Sequence, residues 1–312
     1  MQERFHPLDG LRGLAATIVL VAHGFQMLLP AAFSPGAAGQ FGESALAMSP
    51  LNVLFNGGFA VCLFFVLSGF VLAMPWFARR DARWYAVAAL KRYPRLALPA
   101  AASTLLAVVL AKTVGFHYAE ARTITGATMT DFFSGIGDWS VALWQGAIGA
   151  FFFGDDSYNR VLWTIRVELI GSMGVFMLAP VLGRFRLRWI AYLALVAWLA
   201  DTFYLGFVLG ALIADLVATW RPRPLAASAW VPLTLVGLWL AAYPYSTVDG
   251  SIWAPIALAL RGIGDPFMSS HTLGAACLLV VALQAPWAST ALATGPLRYL
   301  GRSAGVGLAE GQ

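Results

Sequence analysis

Arg12 and His23 are the residues best placed to do chemistry, because they lie eleven positions apart in a single apolar stretch. At about 100° per residue they return to within roughly 20° of one helical face, separated by about 16 Å along the axis. Gly13 to Pro30 is long enough to cross a hydrocarbon core, which puts an arginine at one mouth and an imidazole near the middle. A neutral imidazole can take a proton from an attacking hydroxyl or attack a carbonyl itself. A guanidinium can hold a phosphate through paired hydrogen bonds. The structural alternative is that Arg12 is a snorkelling anchor and His23 a hydrogen bond between helices. Ionisable groups inside membrane helices are rare and usually functional, which favours a role for His23.

A second basic group follows. Arg79, Arg80, Arg83, Lys91, Arg92 and Arg95 are opposed only by Asp81. Arg92 and Arg95, three apart, share one helical side where the next apolar run begins. They serve either topology, since inner loops are basic, or an anion site. Glu168 lies about 12 Å inside a later apolar run. It is either an ion-pair partner that holds helices together or a working acid. Arg166, two positions away, points elsewhere and is not its local partner. Asp9 reads as a helix cap. His6, His117 and His271 read as solvated or structural. No GxSxG elbow, HExxH helix, phosphate loop or metal-ligand spacing occurs, so no metal or bound cofactor is expected.

The elements that must position these residues are membrane helices. Apolar residues make up 60% of the 312 positions and charged residues 11%, the composition of a multi-pass α-helical membrane protein. The net charge of +5 sits in loops beside the spans and does not imply nucleic acid. Cys62 and Cys277 fall in apolar runs and read as buried thiols. The expected fold is a single all-α domain over residues 1–312, with about eight spans. These are 13–30, 51–74, 96–114, 161–182, 189–200 and 202–220 (a hairpin turning at Asp201), 230–245 and 268–287. Ser140 to Gly154 is short for a span and reads as re-entrant or interfacial. With both termini in the cytoplasm, roughly 15 Lys and Arg fall inside against about four outside. If Ser140–Gly154 crossed, that bias would collapse.

Four stretches in order resemble the acyltransferase family 3 membrane proteins, which include surface-carbohydrate O-acetylases. They are LDGLRGLAATIVLVAHG (8–24), LFFVLSGFVL (63–72), KRYPRLALP (91–99) and LWTIRVEL (162–169). The resemblance implies a multi-pass protein of the inner (plasma) membrane. It implies transfer of an acyl group, acetyl in the first instance, from cytoplasmic acyl-CoA to a hydroxyl of an acceptor at the outer face, such as a surface carbohydrate. It makes His23 the catalytic histidine, Glu168 a functional acid, and Arg12, Arg92 and Arg95 contributors to the donor site. Arg166 and Leu169 depart from the family pattern, which commonly has a small polar residue and a second Glu at these places. PLRYLGR (296–302) resembles the start of the family's last motif, but Ser303 to Gln312 is too short and polar to cross. The expected bundle therefore lacks the family's last helix, leaves an apolar groove there, and is weakly active or inactive alone and less stable than a full-length relative. The rival readings are a proton-coupled transporter or exporter using His23 and Glu168 as a relay, and an inactive truncated homologue.

Overall fold

The computed structural model describes residues 6–34, 39, 41–127, 135–246, 248–262 and 264–304, with side chains through Gly301. Among these the chain is helical, with no strand. Among the described residues, five helical segments are long and apolar enough to cross a membrane: His6–Leu28, Gly57–Arg79, Ala82–Thr113, Arg160–Leu182 and Pro266–Gln284. The three remaining expected spans are shorter helices, Arg188–Trp198, Tyr204–Trp220 and Ala227–Ala241.

The bundle is built around α2 (Gly57–Arg79), whose neighbours are α1 (His6–Leu28), α6 (Trp163–Leu182), α8 (Tyr204–Trp220) and α11 (Pro266–Gln284). Glycines on both helices bring α2 and α8 together. Gly69 lies on the backbone of Phe207, and Gly206 and Gly210 lie on Phe65, Val66 and Phe70. Small residues allow this approach, which gains dispersion contacts where lipid supplies no hydrophobic drive between helices. Exposed Leu20, Leu90, Leu98 and Leu106 mark the outer faces of α1 and α3 (Ala82–Thr113).

Several boundaries shift from the sequence expectation, each for a local reason. The second span starts at Gly57 and not at Leu51, because the Asn56 side chain caps the helix by accepting from Phe59 N. The third helix starts at Ala82, where the Asp81 carboxylate accepts from Trp84 N. Arg83, Lys91, Arg92 and Arg95 thus lie within α3 itself, while Arg79 ends α2 and Arg80 is its C-cap. Arg92 lies about 15 Å into that helix and not at its mouth. α1 already runs from His6, which puts His23 about 7.5 Å from its C-terminal end, nearer that end than the middle.

After α4 (Tyr118–Thr125), the Ser140–Gly154 segment doubles back. The helix α5 (Trp139–Trp144) passes into a π-helix (Gln145–Phe153) that descends along α3, and the chain turns at Gly154 with φ 73°. The return strand of chain is tied to the descent: Gln145 Nε2 donates to Asp155 O at 2.8 Å, and the Tyr158 hydroxyl accepts from Asp138 N at 3.3 Å. The hairpin of α7 (Arg188–Trp198) and α8 turns through residues 199–203, as its spacing predicts. At eleven residues α7 is about 16 Å long, too short to cross alone.

Beyond α9 (Ala227–Ala241), α10 (Ala254–Leu260) and α11 come two short helices, α12 (Pro286–Leu292) and α13 (Gly295–Ala304). The sequence reading left this segment as a cytoplasmic tail. It is a helix packed backbone to backbone on α1, where Gly13 meets Leu297 O and Gly301 meets Asp9 O. Residues 305–312, most of the stretch judged too polar to cross, lie outside the described residues.

Candidate functional site

A charged group of three helices forms part of the core. Arg92 (α3, 3% exposed) points at α6, where its Nε donates to Ser172 Oγ at 3.0 Å and its Nη2 pairs with Glu168 Oε1. The same Glu168 oxygen accepts from Ser68 Oγ of α2 at 2.9 Å. Ser172 Oγ donates in turn to Glu168 O, 2.5 Å away and four residues back in α6. Both hydroxyls have one proton and two lone pairs, so each can donate to one group while accepting from another. The ionised carboxylate therefore meets a guanidinium and a hydroxyl, the pairing that makes burial of the two charges tolerable.

Arg12 (7% exposed) faces this group from α1. It pairs with Asp9 at 3.6 Å and lies within electrostatic reach of both Glu168 and Arg92. Asp9 is in the first turn of α1, where an anion also suits the helix dipole. Arg95, half-buried, lies one turn along α3 from Arg92 and within reach of its charge.

His23 is in a different neighbourhood. Its Nδ1 is 2.8 Å from Val19 O, one turn back in α1. A carbonyl oxygen can only accept, so Nδ1 carries the hydrogen, and in the neutral ring Nε2 carries the lone pair. Next to it, Ala22 packs against Gly57 at the start of α2. Ser68 is eleven residues further down α2, just as Arg12 is eleven residues back along α1. His23 therefore stands about 16 Å from the Glu168 level.

The structure thus gathers Arg12, Arg92 and Glu168, with Arg95 one turn away, and holds His23 apart on the same helix as Arg12. Of the two sequence readings of Glu168, the structure shows the ion-pair partner between helices, with Arg92 as that partner; the relay with His23 that the transporter reading needs is not formed. Ser68 and Ser172 were missed. Ser68 sits inside one of the quoted stretches, FFVLSGF, but nothing in a lone serine between apolar residues shows which helix it will face. His271, read as solvated or structural, is fully buried: its Nε2 donates to Tyr243 O at 3.0 Å among the rings of Phe59, Tyr243 and Phe267. Cys62 and Cys277 are free thiols. Among the described residues, no group of three His, Cys, Asp or Glu lies close enough together to hold a metal ion.

The family model described as "Acyltransferase domain" matches residues 5–304, nearly the whole chain. No curated protein and no solved structure matched in the same comparisons.

Proposed function

The chain belongs to acyltransferase family 3, and from that premise we propose that it moves an acetyl group from acyl-CoA to a hydroxyl of a surface carbohydrate. The protein is an integral membrane acyltransferase by family and by its membrane-length helices. The donor reaches it from the cytoplasm, the acceptor from the outer face, and both chain ends lie inside the inner membrane's cytoplasmic boundary.

The observation that carries this reading is the 2.8 Å contact of His23 Nδ1 with Val19 O, which leaves Nε2 free of that bond. With Nδ1–H committed to Val19 O, Nε2 is the basic nitrogen. As the acceptor oxygen attacks the thioester carbon, Nε2 takes the hydroxyl proton, the carbon–sulfur bond breaks, and the leaving thiolate accepts that proton. The other route uses the same atom: Nε2 attacks the carbonyl carbon, CoA leaves as thiolate, and the acceptor oxygen then displaces the imidazole, with its proton passing to the thiolate. Arg12, Arg92 and Arg95 supply positive charge for the donor's phosphates. Glu168 acts through Arg92, which it holds in place, and not on the imidazole. A proton relay would need His23 and Glu168 within reach of each other. A gap of about 16 Å and a carboxylate already held by a guanidinium argue against it.

The test is acetyl transfer from labelled acetyl-CoA to surface glycan in membranes holding equal amounts of wild type and His23→Ala. Loss of transfer by the variant supports the reading. Transfer at the wild-type rate overturns it, and proton-coupled uptake without transfer would point to the transporter instead.

A further inference from the structure

Between α6 and the short α7–α8 hairpin runs an open groove of about 310 Å³. Ile170, Gly174, Leu178 and Leu182 form one wall, and Leu195 and Phe207 stand opposite. It exists because α7 is too short to cover α6 and because Gly174 presents no side chain, with nothing within 4 Å of where a Cβ would be. A void this size in a bilayer does not stay empty, since its walls would forgo their dispersion contacts.

Three observations say what fills it. Its lining is almost wholly apolar. From Leu182 to Ile170 it extends about 18 Å by helix rise, close to the roughly 15 Å of one leaflet of a bilayer core. At the Leu182 end the chain turns through exposed Arg184 and Arg186, which have no carboxylate or hydrogen-bonding side-chain partner among the described residues. The neighbouring Arg188 is already used, on Asp215 and over the Trp189 ring at 4.6 Å. Trp189 and Trp220 pair at 5.8 Å at this same end, the kind of aromatic belt that sits at headgroup level.

We infer that the α6–α7–α8 groove is a binding site for one anionic phospholipid, its acyl chain along Gly174 and its phosphate at Arg184 and Arg186. The bound chain wedges α6 against the hairpin and so steadies the helix that carries Glu168 and Ser172.

The test uses the full chain purified in detergent, titrated with dioleoyl phosphatidylglycerol or dioleoyl phosphatidylcholine, with thermal unfolding and native mass spectrometry as readouts. None of this depends on acyl transfer. A ligand that binds only the folded state raises Tm with its concentration. Wild type should retain one phosphatidylglycerol and show a saturable rise in Tm, with phosphatidylcholine at least tenfold weaker. Gly174→Leu, which fills the groove, and Arg184→Gln with Arg186→Gln, which removes the cations, should each lose that response. Dihexanoyl phosphatidylglycerol should fail on wild type, since its chains are too short to fill the groove. Equal responses to both headgroups, or a full response to the dihexanoyl lipid or by Gly174→Leu, would overturn the site. So would a groove closed between two copies, seen as no lipid response and a change of oligomeric mass in Gly174→Leu.

Discussion

Arg92 Nε donates to Ser172 Oγ at 3.0 Å while the same guanidinium pairs with Glu168, one helical turn earlier on α6. One arginine thus reads two levels of a neighbouring helix, and the Ser68 hydroxyl brings α2 into the same contact. This joins three helices at a point where lipid offers no alternative partner. Removing one charge should therefore cost more than removing both. Glu168→Gln is expected to destabilise by about 3–5 kcal/mol, the usual cost of leaving a buried charge alone. Arg92→Met with Glu168→Leu should recover most of that loss. Thermal unfolding of Arg92→Met, Glu168→Leu and the double of these two, run as a cycle, measures the coupling, and simple additivity would mean that the pair is not coupled.

The proposed role of Arg92 and Arg95 toward acyl-CoA gives a separate expectation. Arg→Lys at position 92 or 95 keeps charge and topology but loses the planar fork. Each should weaken acyl-CoA binding by about tenfold or more, since a hydrogen bond to a charged group contributes roughly 1.5–3 kcal/mol. Equilibrium binding of a non-hydrolysable acyl-CoA checks this. Unchanged affinity in both Lys variants and in both Ala variants would assign these arginines to topology alone.

The two nitrogens of His23 can be told apart chemically. Histidine methylated on Nε2 blocks the lone pair and should give no acyl transfer. Histidine methylated on Nδ1 loses the hydrogen bond to Val19 O but keeps a basic Nε2. It should retain measurable turnover. The reverse order would place the reacting atom at Nδ1.

The α1–α13 crossing has no room for a side chain. A Cβ at Gly13 would sit 2.5 Å from Leu297 O, and one at Gly301 would run into Asp9 O. Gly301→Leu should push α13 off α1 and destabilise by about 1–3 kcal/mol or more. Protease access to the α12–α13 link at residues 293–294, compared with wild type, reports the release, and an unchanged cleavage rate would mean that α13 is not held by this contact.

Arg188 grips Asp215 at 2.6 and 3.1 Å and Thr219 at 3.1 Å, with Asp215 fully buried. Asp215→Asn should lower Tm strongly, again on the scale of about 3–5 kcal/mol for breaking a buried pair. Acyl transfer below the melting range should be unaffected, because this pair fastens α7 to α8 and neither helix carries Arg12, His23, Arg92, Arg95 or Glu168. A variant with full stability would show that the contact contributes nothing.

Composition and periodicity alone determined that this is an all-α membrane bundle. The Arg12–His23 spacing was legible because both residues ride on one helix, where 100° per residue leaves little freedom. The doubling back of Ser140–Gly154 was legible from its length, and the Asp201 turn from the polar break between two apolar runs. The family was legible from four stretches in order. Helix starts were less so: the Asn56 and Asp81 caps moved α2 and α3, and with them Arg92, from a helix mouth to the interior. Which helices become neighbours was decided only in the tertiary structure. Glu168 has the same sequence signature whether it faces His23 or Arg92. The choice falls to Gly69, Gly206 and Gly210, which let α8 close on α2, and to Ser68 and Ser172, which complete the hydrogen bonds of the resulting pair. Helical spacing tells which face of its own helix a residue occupies. Close packing of small residues and the need to satisfy every buried charge tell what that face will meet.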